Sequence, residues 1–337
     1  MKLFRLLGIA ALGATMLPSC DQAFLGDYEG TSNPYKNFEH LWTQCDEKYS
    51  FFELKGIDWD QIHDKYYAML SQDMDNDSLF AVMGAMLTEL QDDHTNLITP
   101  HDVSYFGVQY QSQDNYDARI VRDNYLSNPR ITGSFISDNL IWGQDTLGYI
   151  RFSSFTGAAG GSLSYLIKEY SNTKGLIFDI RENGGGAVND VFDILERFAD
   201  SSRTVFYSRI KNGPGHNDFS DAAPAEVGVV NGHIFDSLNI AVLTDRGTYS
   251  AGSFTALGMK AYPHIRQFGD TTGGGLGLPN GGQLPNGWLY RFSITQTLDL
   301  DMDEQWEQGV PPDTTVLFDW DDRETDEILE AAIDWLL

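Results

Sequence analysis

The stretch Asn239-Ile-Ala-Val-Leu-Thr-Asp-Arg-Gly-Thr-Tyr-Ser250-Ala-Gly-Ser-Phe254 decides the fold class. Asn239 to Thr244 is an apolar, partly β-branched run bounded by turn residues, the pattern of a short buried strand. Asp245 to Gly247 turn the chain, and Ser253 to Met259 place apolar residues at helical spacing. A serine between a buried strand and a helix start sits at the carboxyl edge of the strand, where α/β folds place reactive groups. Backbone N–H groups at such a helix start are free to hold a developing oxyanion. Ser250 therefore reads as a candidate nucleophile, with a plain helix N-cap as the alternative.

Outward from that stretch, strands and helices alternate. Tyr149–Phe152 reads as a strand, Ser162–Tyr170 as a helix, Gly175–Ile180 as a strand, Ala187–Phe198 as a helix and Ile265–Gly269 as another strand. The alternation predicts an α/β core over residues 147–337. Residues 211–233, rich in Gly, Pro, Asn, Asp and Ala, read as an irregular insertion. Upstream the period is helical: Phe38, Leu41 and Trp42 share a face, as do Ile62, Tyr66 and Leu70, and then Phe80, Met83, Met86, Leu87 and Leu90. Residues 34–100 thus form a helical domain, with Asp77 or Ser78 expected to cap its last helix. Residues 101–146 are polar and β-leaning, a small linking segment.

A second informative segment is Gly175-Leu-Ile-Phe-Asp-Ile-Arg-Glu-Asn-Gly184-Gly185-Gly186, a buried strand running into three glycines. Glycines let backbone N–H groups approach a ligand atom closely. Neither the dinucleotide fingerprint nor the P-loop is met. A second oxyanion donor and a tight structural turn remain the two readings. A serine nucleophile also needs a base, usually histidine. The chain offers His40, His63, His94, His101, His216, His233 and His264, and spacing alone does not separate His94 from His101. The runs Asp73/Asp75/Asp77 and Asp299/Asp301/Asp303 mimic the first ligands of a calcium loop, but the glycine and glutamate required further on are missing. Zinc spacing is absent too, so no metal and no cofactor is expected.

The 337 residues carry 22 basic and 49 acidic side chains, net −27. So acidic a chain repels nucleic acid and anionic lipid surfaces, which excludes nucleic-acid partners. Lys2 and Arg5 precede an apolar run, Leu6 to Leu17, shorter than the ~20 residues a bilayer span needs. Residues 1–19 read as a signal peptide, and Leu17-Pro-Ser-Cys20 resembles a bacterial lipobox with Cys20 as the lipidated residue. Residues 20–33 would be a tether, and the membrane would be met through this anchor alone. The expected location is the bacterial cell envelope, facing the periplasm or the exterior. Cys45 lies in a helical pattern and reads as a small core residue.

The motifs fall in a telling order: Leu90-Gln-Asp-Asp-His94-Thr95, Asp179-Ile-Arg-Glu-Asn-Gly-Gly-Gly, Gly247-Thr-Tyr-Ser250-Ala-Gly, Gly269-Asp-Thr-Thr-Gly-Gly-Gly275 and Glu307-Gln-Gly-Val-Pro-Pro-Asp313. This order resembles the C-terminal-processing and tricorn-core serine peptidases over roughly residues 35–337. The resemblance implies a crotonase-like β-β-α spiral core with an N-terminal helical domain, and a serine endopeptidase acting on peptide or protein substrates. The processing type uses a Ser–Lys dyad, but Gly275 occupies the lysine's place, and Lys260 points elsewhere from the Ser250 helix. The resemblance thus implies the tricorn-like design: Ser250 as nucleophile, His94 as base and Glu307 as the carboxylate that steadies it, either directly or through an intervening hydroxyl. Ala251 with Gly184 or Gly185 would hold the oxyanion. Two positions depart from the pattern: the family's glutamate place is Trp306, one residue before Glu307, and Asp93 stands where the tricorn type has serine. Asp93 and Glu304 thus stay open as alternative partners of His94. Residues 101–146 are too short for the complete PDZ domain often found there. The alternative reading of the whole chain is a catalytically inactive relative that binds peptide or another extracellular ligand.

Overall fold

The computed structural model describes residues 30–230 and 238–337. The signal peptide, Cys20, most of the tether and His233 lie outside the described residues. Four helices open the fold: α1 (Pro34–Lys48), α2 (Phe52–Lys55), α3 (Trp59–Tyr67) and α4 (Asn76–Thr88). Each long one starts at a side-chain cap: Asn33 accepts from Lys36 N–H, Asp58 from Gln61 N–H and Asp75 from Ser78 N–H. The cap of α4 is therefore Asp75, not Asp77 or Ser78, because the helix begins before either of them. Phe38, Leu41, Cys45, Met83, Met86 and Leu87 turn inward as the periodicity requires, and Cys45 is fully buried.

The strands follow as β1 (Asn96–Ile98), β2 (Arg130–Thr132), β3 (Phe135–Trp142), β4 (Asp145–Phe152), β5 (Leu176–Asp179), β6 (Arg203–Ile210), β7 (Ala223–Val227), β8 (Ile240–Thr244), β9 (Ile265–Gly269), β10 (Pro279–Gln283), β11 (Leu289–Ser293), β12 (Thr295–Leu298) and β13 (Thr314–Thr315). Between them run α5 (Ala159–Glu169), α6 (Val188–Phe198) and α7 (Ala251–Met259), and α8 (Glu327–Leu336) closes the chain. The central sheet has the order β13-β9-β8-β5-β4-β3-β2. Its β13-β9-β8-β5-β4 half is parallel and its β4-β3-β2 end antiparallel. Two three-stranded sheets, β12-β6-β7 and β1-β11-β10, flank it.

The expected boundary at 146 is displaced, since β2 and β3 belong to the central sheet. Polar residues hid the pattern: Ser137 and Asp138 are buried in β3, where the Asp138 carboxylate accepts Ser127 and Asn128 N–H groups. The insertion 211–233 likewise contains β7, an edge strand, the position in a sheet where a proline such as Pro224 is tolerated. One apolar cluster fills the side of the sheet under α5, α6 and α7, and another packs α8 on the opposite face. A third joins the helical domain to Leu284, Trp288, Tyr290 and Phe292 of the β10–β11 hairpin. This shared core fixes the helical domain over the carboxyl edge of the central sheet.

Candidate active site

Strand β8 is buried along its whole length, and its carboxyl end delivers the chain into a tight elbow. The buried Asp245 carboxylate accepts Glu182 N–H at 2.8 Å and Thr248 N–H at 3.0 Å, tying the elbow to the glycine-rich turn after β5. Ser250 sits at φ 53°, ψ −120°, a conformation that costs a non-glycine residue about 1–3 kcal/mol. Its hydroxyl makes no cap bond to α7 and is left for other work. Gly185, at φ 92°, backs the elbow so closely that a Cβ there would lie 2.8 Å from Ser250 Cβ and 2.8 Å from the Tyr249 carbonyl. Only glycine fits that approach.

The other half comes from the helical domain. Past the end of α4, His94 reaches Ser250, with Nε2 2.9 Å from Oγ. The imidazole is buried and packs against the Tyr249 ring at a centroid distance of 5.0 Å. Burial lowers its pKa below the ordinary histidine value. Asp92, the Gly277 carbonyl and Asp93 pull it back up, while Arg291 adds to the lowering. The Gly277 carbonyl favours a proton on the ring without forming a bond of normal geometry, and Nδ1 has no hydrogen-bond partner among the described residues. His101 is exposed, and His63 and His216 bond Glu39 and Asp46 elsewhere.

Among the candidate oxyanion donors, Ala251 N–H opens α7 and, like Gly184 N–H, has no acceptor among the described residues. Gly185 N–H is already held by Asn183 Oδ1 at 3.0 Å. The open pair is thus Gly184 and Ala251, with Gly185 supplying clearance rather than a donor.

Glu307 differs from its expected placement. It is buried, but no hydrogen bond joins it to His94 among the described residues. Its Oε2 accepts Leu276 N–H at 2.7 Å, and its Oε1 lies 3.6 Å from Lys55 Nζ. The backbone dictates this: the Glu307 carbonyl accepts Gly275 N–H at 3.1 Å, which holds the side chain beside Leu276 and under the lysine. Burial pushes the Glu307 carboxyl up to about 8 despite the opposing charge of Lys55. The alternatives are also engaged elsewhere: Asp93 accepts Gly107 and Val108 N–H groups, and Glu304 pairs with Arg209. Lys260 pairs with Asp313 at 3.1 Å, away from Ser250.

Three residues of the site went unread in the sequence: Asp92, Tyr249 and Lys55. Asp92 lies two residues before His94, and Tyr249 one before Ser250, so proximity in the motifs was their only signal. Lys55 carried none. All three line a cavity of about 210 Å³ together with Arg246, Val108 and Glu307. Among the described residues no cluster of His, Cys, Asp or Glu has the arrangement to hold a metal. The calcium-like run at Asp299 instead bonds its own turn, accepting Asp301 and Asp303 N–H groups.

A strained serine elbow and a histidine at hydrogen-bond distance thus stand on a Clp-like α/β core beneath a helical domain, and this arrangement points to a family. The chain belongs to peptidase family S41, whose pattern matches residues 146–316, and the tricorn protease C1 domain matches residues 33–88. Among curated relatives it is 24% identical over 193 residues to the carboxy-terminal processing protease CtpB of Bacillus subtilis (strain 168). It is 23% identical over 185 residues to the chloroplastic carboxyl-terminal-processing peptidase 3 of Arabidopsis thaliana. These matches cover 52% and 54% of this chain but only 38% and 34% of those proteins, so the chain spans about a third of their length. A crystal structure described as a peptidase from Parabacteroides merdae ATCC 43184 superposes with a TM-score of 0.85 at 36% identity, covering 91% of this chain and 98% of that one.

Proposed function

We propose that this chain hydrolyses peptide bonds through an acyl-enzyme on Ser250. The observation that carries this reading is the 2.9 Å contact between Ser250 Oγ and His94 Nε2 at a strained elbow. In the neutral ring, Nε2 accepts the hydroxyl proton and Nδ1 carries the other. Oγ attacks the scissile carbonyl as its proton passes to Nε2, and the carbonyl oxygen becomes an anion facing the Gly184 and Ala251 N–H groups. One such donor is worth about 3–4 kcal/mol in comparable sites. The imidazolium then protonates the departing amine, leaving an ester on Ser250. Water, deprotonated by His94, attacks that ester and releases the acid. Glu307 has no place in this relay because its contacts run to Leu276 and Lys55.

The test is a fluorophosphonate probe on the purified protein. Wild type should be labelled, and Ser250→Ala and His94→Ala should not. Labelling of Ser250→Ala at the wild-type rate would sink the nucleophile assignment. The substrates proposed are peptides or proteins met outside the cytoplasm, with the enzyme tethered by lipid on Cys20. No helix among the described residues is long and apolar enough to cross a membrane; the lipid tether on Cys20 is the attachment proposed. Incorporation of an alkyne fatty acid that disappears in Cys20→Ala checks it; labelling that persists would refute it.

A further inference from the structure

With Glu307 engaged elsewhere, the Ser250–His94 pair still needs a group that holds the imidazole in place and supports its charge. A buried carboxylate two residues before His94 bonds the backbone of the base and the side chain of the residue before the nucleophile. Asp92 Oδ1 accepts the His94 backbone N–H at 2.8 Å and the Tyr249 hydroxyl at 3.2 Å, and Oδ2 accepts the Ser293 hydroxyl at 2.9 Å. Tyr249 is the residue before the nucleophile, and its ring packs on the imidazole. One carboxylate therefore ties together the segment carrying the base, the residue before the nucleophile and the end of β11.

We propose that Asp92 is the positioning carboxylate of this site: it anchors His94 and Tyr249 to one point, and its negative charge stabilises the imidazolium formed when Ser250 attacks. This rests on the Ser250–His94 reading of the preceding section. The charges around it favour the role. Lys55 on α2 and His94 itself keep Asp92 ionised despite its burial. Lys55 is fixed there by the Leu90 and Gln91 carbonyls, at 3.0 and 3.1 Å, and by the Tyr49 hydroxyl at 3.0 Å. Asp93 and Asp92 act on His94 in the same sense and Arg291 of β11 opposes them, while Glu307, Tyr49 and Tyr249 are neutral neighbours at pH 7. Asp92 acts on the ring through space and through the backbone, because Nδ1 takes no carboxylate hydrogen bond.

The experiment compares wild type, Asp92→Asn, Tyr249→Phe and His94→Ala in the full chain. The rate of labelling by a fluorophosphonate–rhodamine probe is followed from pH 4.5 to 9. The His94 imidazole is titrated in parallel by NMR on histidine-labelled protein, with His94→Ala assigning its signal. Asp92→Asn keeps the shape and one acceptor but removes the charge. It should lower the plateau rate about tenfold or more, and move both the acid limb and the imidazole midpoint down by about one pH unit. Tyr249→Phe leaves the charge and loosens one anchor, so the rate should fall severalfold with the limb unmoved. An Asp92→Asn rate within threefold of wild type overturns the proposal. So does a slowed rate with an unshifted imidazole midpoint, which would reduce Asp92 to a structural turn residue. If the wild type takes no label at all, the nucleophile reading fails, and the NMR midpoint still decides whether Asp92 supports His94. If Asp92→Asn does not fold, an unchanged rate in Tyr249→Phe overturns the anchoring role.

Discussion

Replacing Glu307 by glutamine separates a protonated carboxyl from an ionised partner of Lys55. In the folded chain the carboxyl titrates at about 8, against an ordinary 4.5, because burial outweighs the lysine 3.6 Å away. A raised carboxyl contributes its full stability below pH 4.5, and that contribution is lost as pH climbs through 8. At pH 7 the unfolded chain has gained the ionisation and the native state has not, a difference of about 3 kcal/mol that grows toward about 5 above pH 8. Glutamine cannot ionise in either state and escapes this loss. The melting temperature of Glu307→Gln relative to wild type should therefore rise steadily between pH 4.5 and 8. The rise should reach several degrees, since 1 kcal/mol moves a chain of this size by about 1–2 °C. Differential scanning fluorimetry across that range, backed by urea melts at pH 5 and 8, measures it. A variant that instead loses stability relative to wild type as pH rises would show an ionised Glu307 paired with Lys55, and the reasoning would fail. Probe labelling of Glu307→Gln should stay within about threefold of wild type at pH 7, because its carboxyl touches neither Ser250 nor His94.

The strained elbow predicts an inverted preference at position 250: Ser250→Gly should be more stable than Ser250→Ala by about 1–2 kcal/mol by thermal melting, since only glycine is at ease at φ 53°. Equal or lower stability of the glycine variant would show that no strain is stored there. Gly185→Ala should lose about 2–4 kcal/mol and most labelling, because its Cβ would meet Ser250, whereas Gly184→Ala, with open space at its Cβ, should melt near wild type. Two variants that melt alike would contradict that contrast. His94 must be neutral to act as base, so the labelling rate should climb with pH through a midpoint below 6.5, following the direction of its shift. A midpoint above 7 would mean that Asp92 and Asp93 outweigh burial.

What the sequence disclosed followed from how local each feature is. Strand β8 and the elbow at Ser250 were legible because a five-residue buried strand, its turn and its helix are encoded side by side. The helical domain was legible for the same reason, its faces recurring every three or four residues. Strand β10 was not, since Pro279-Asn-Gly-Gly-Gln283 has the composition of a loop and is held extended by its pairing with β11. Strand β6 takes its partner β12 from far along the chain, so no short window displays their sheet. The site divides along the same line. Ser250 and His94 stand in motifs, and their meeting rests on the third core, in which the β10–β11 hairpin fastens the helical domain above the elbow. Glu307 was misplaced because sequence spacing reports a residue's position along its loop and not the competitor waiting for its side chain. That competitor is the Leu276 N–H, with Lys55 beside it at 3.6 Å, brought from α2 more than two hundred residues earlier and held by carbonyls just past α4. A side chain in an acidic loop has many partners within reach of its sequence, and the one it takes is the donor that the folded backbone sets beside it.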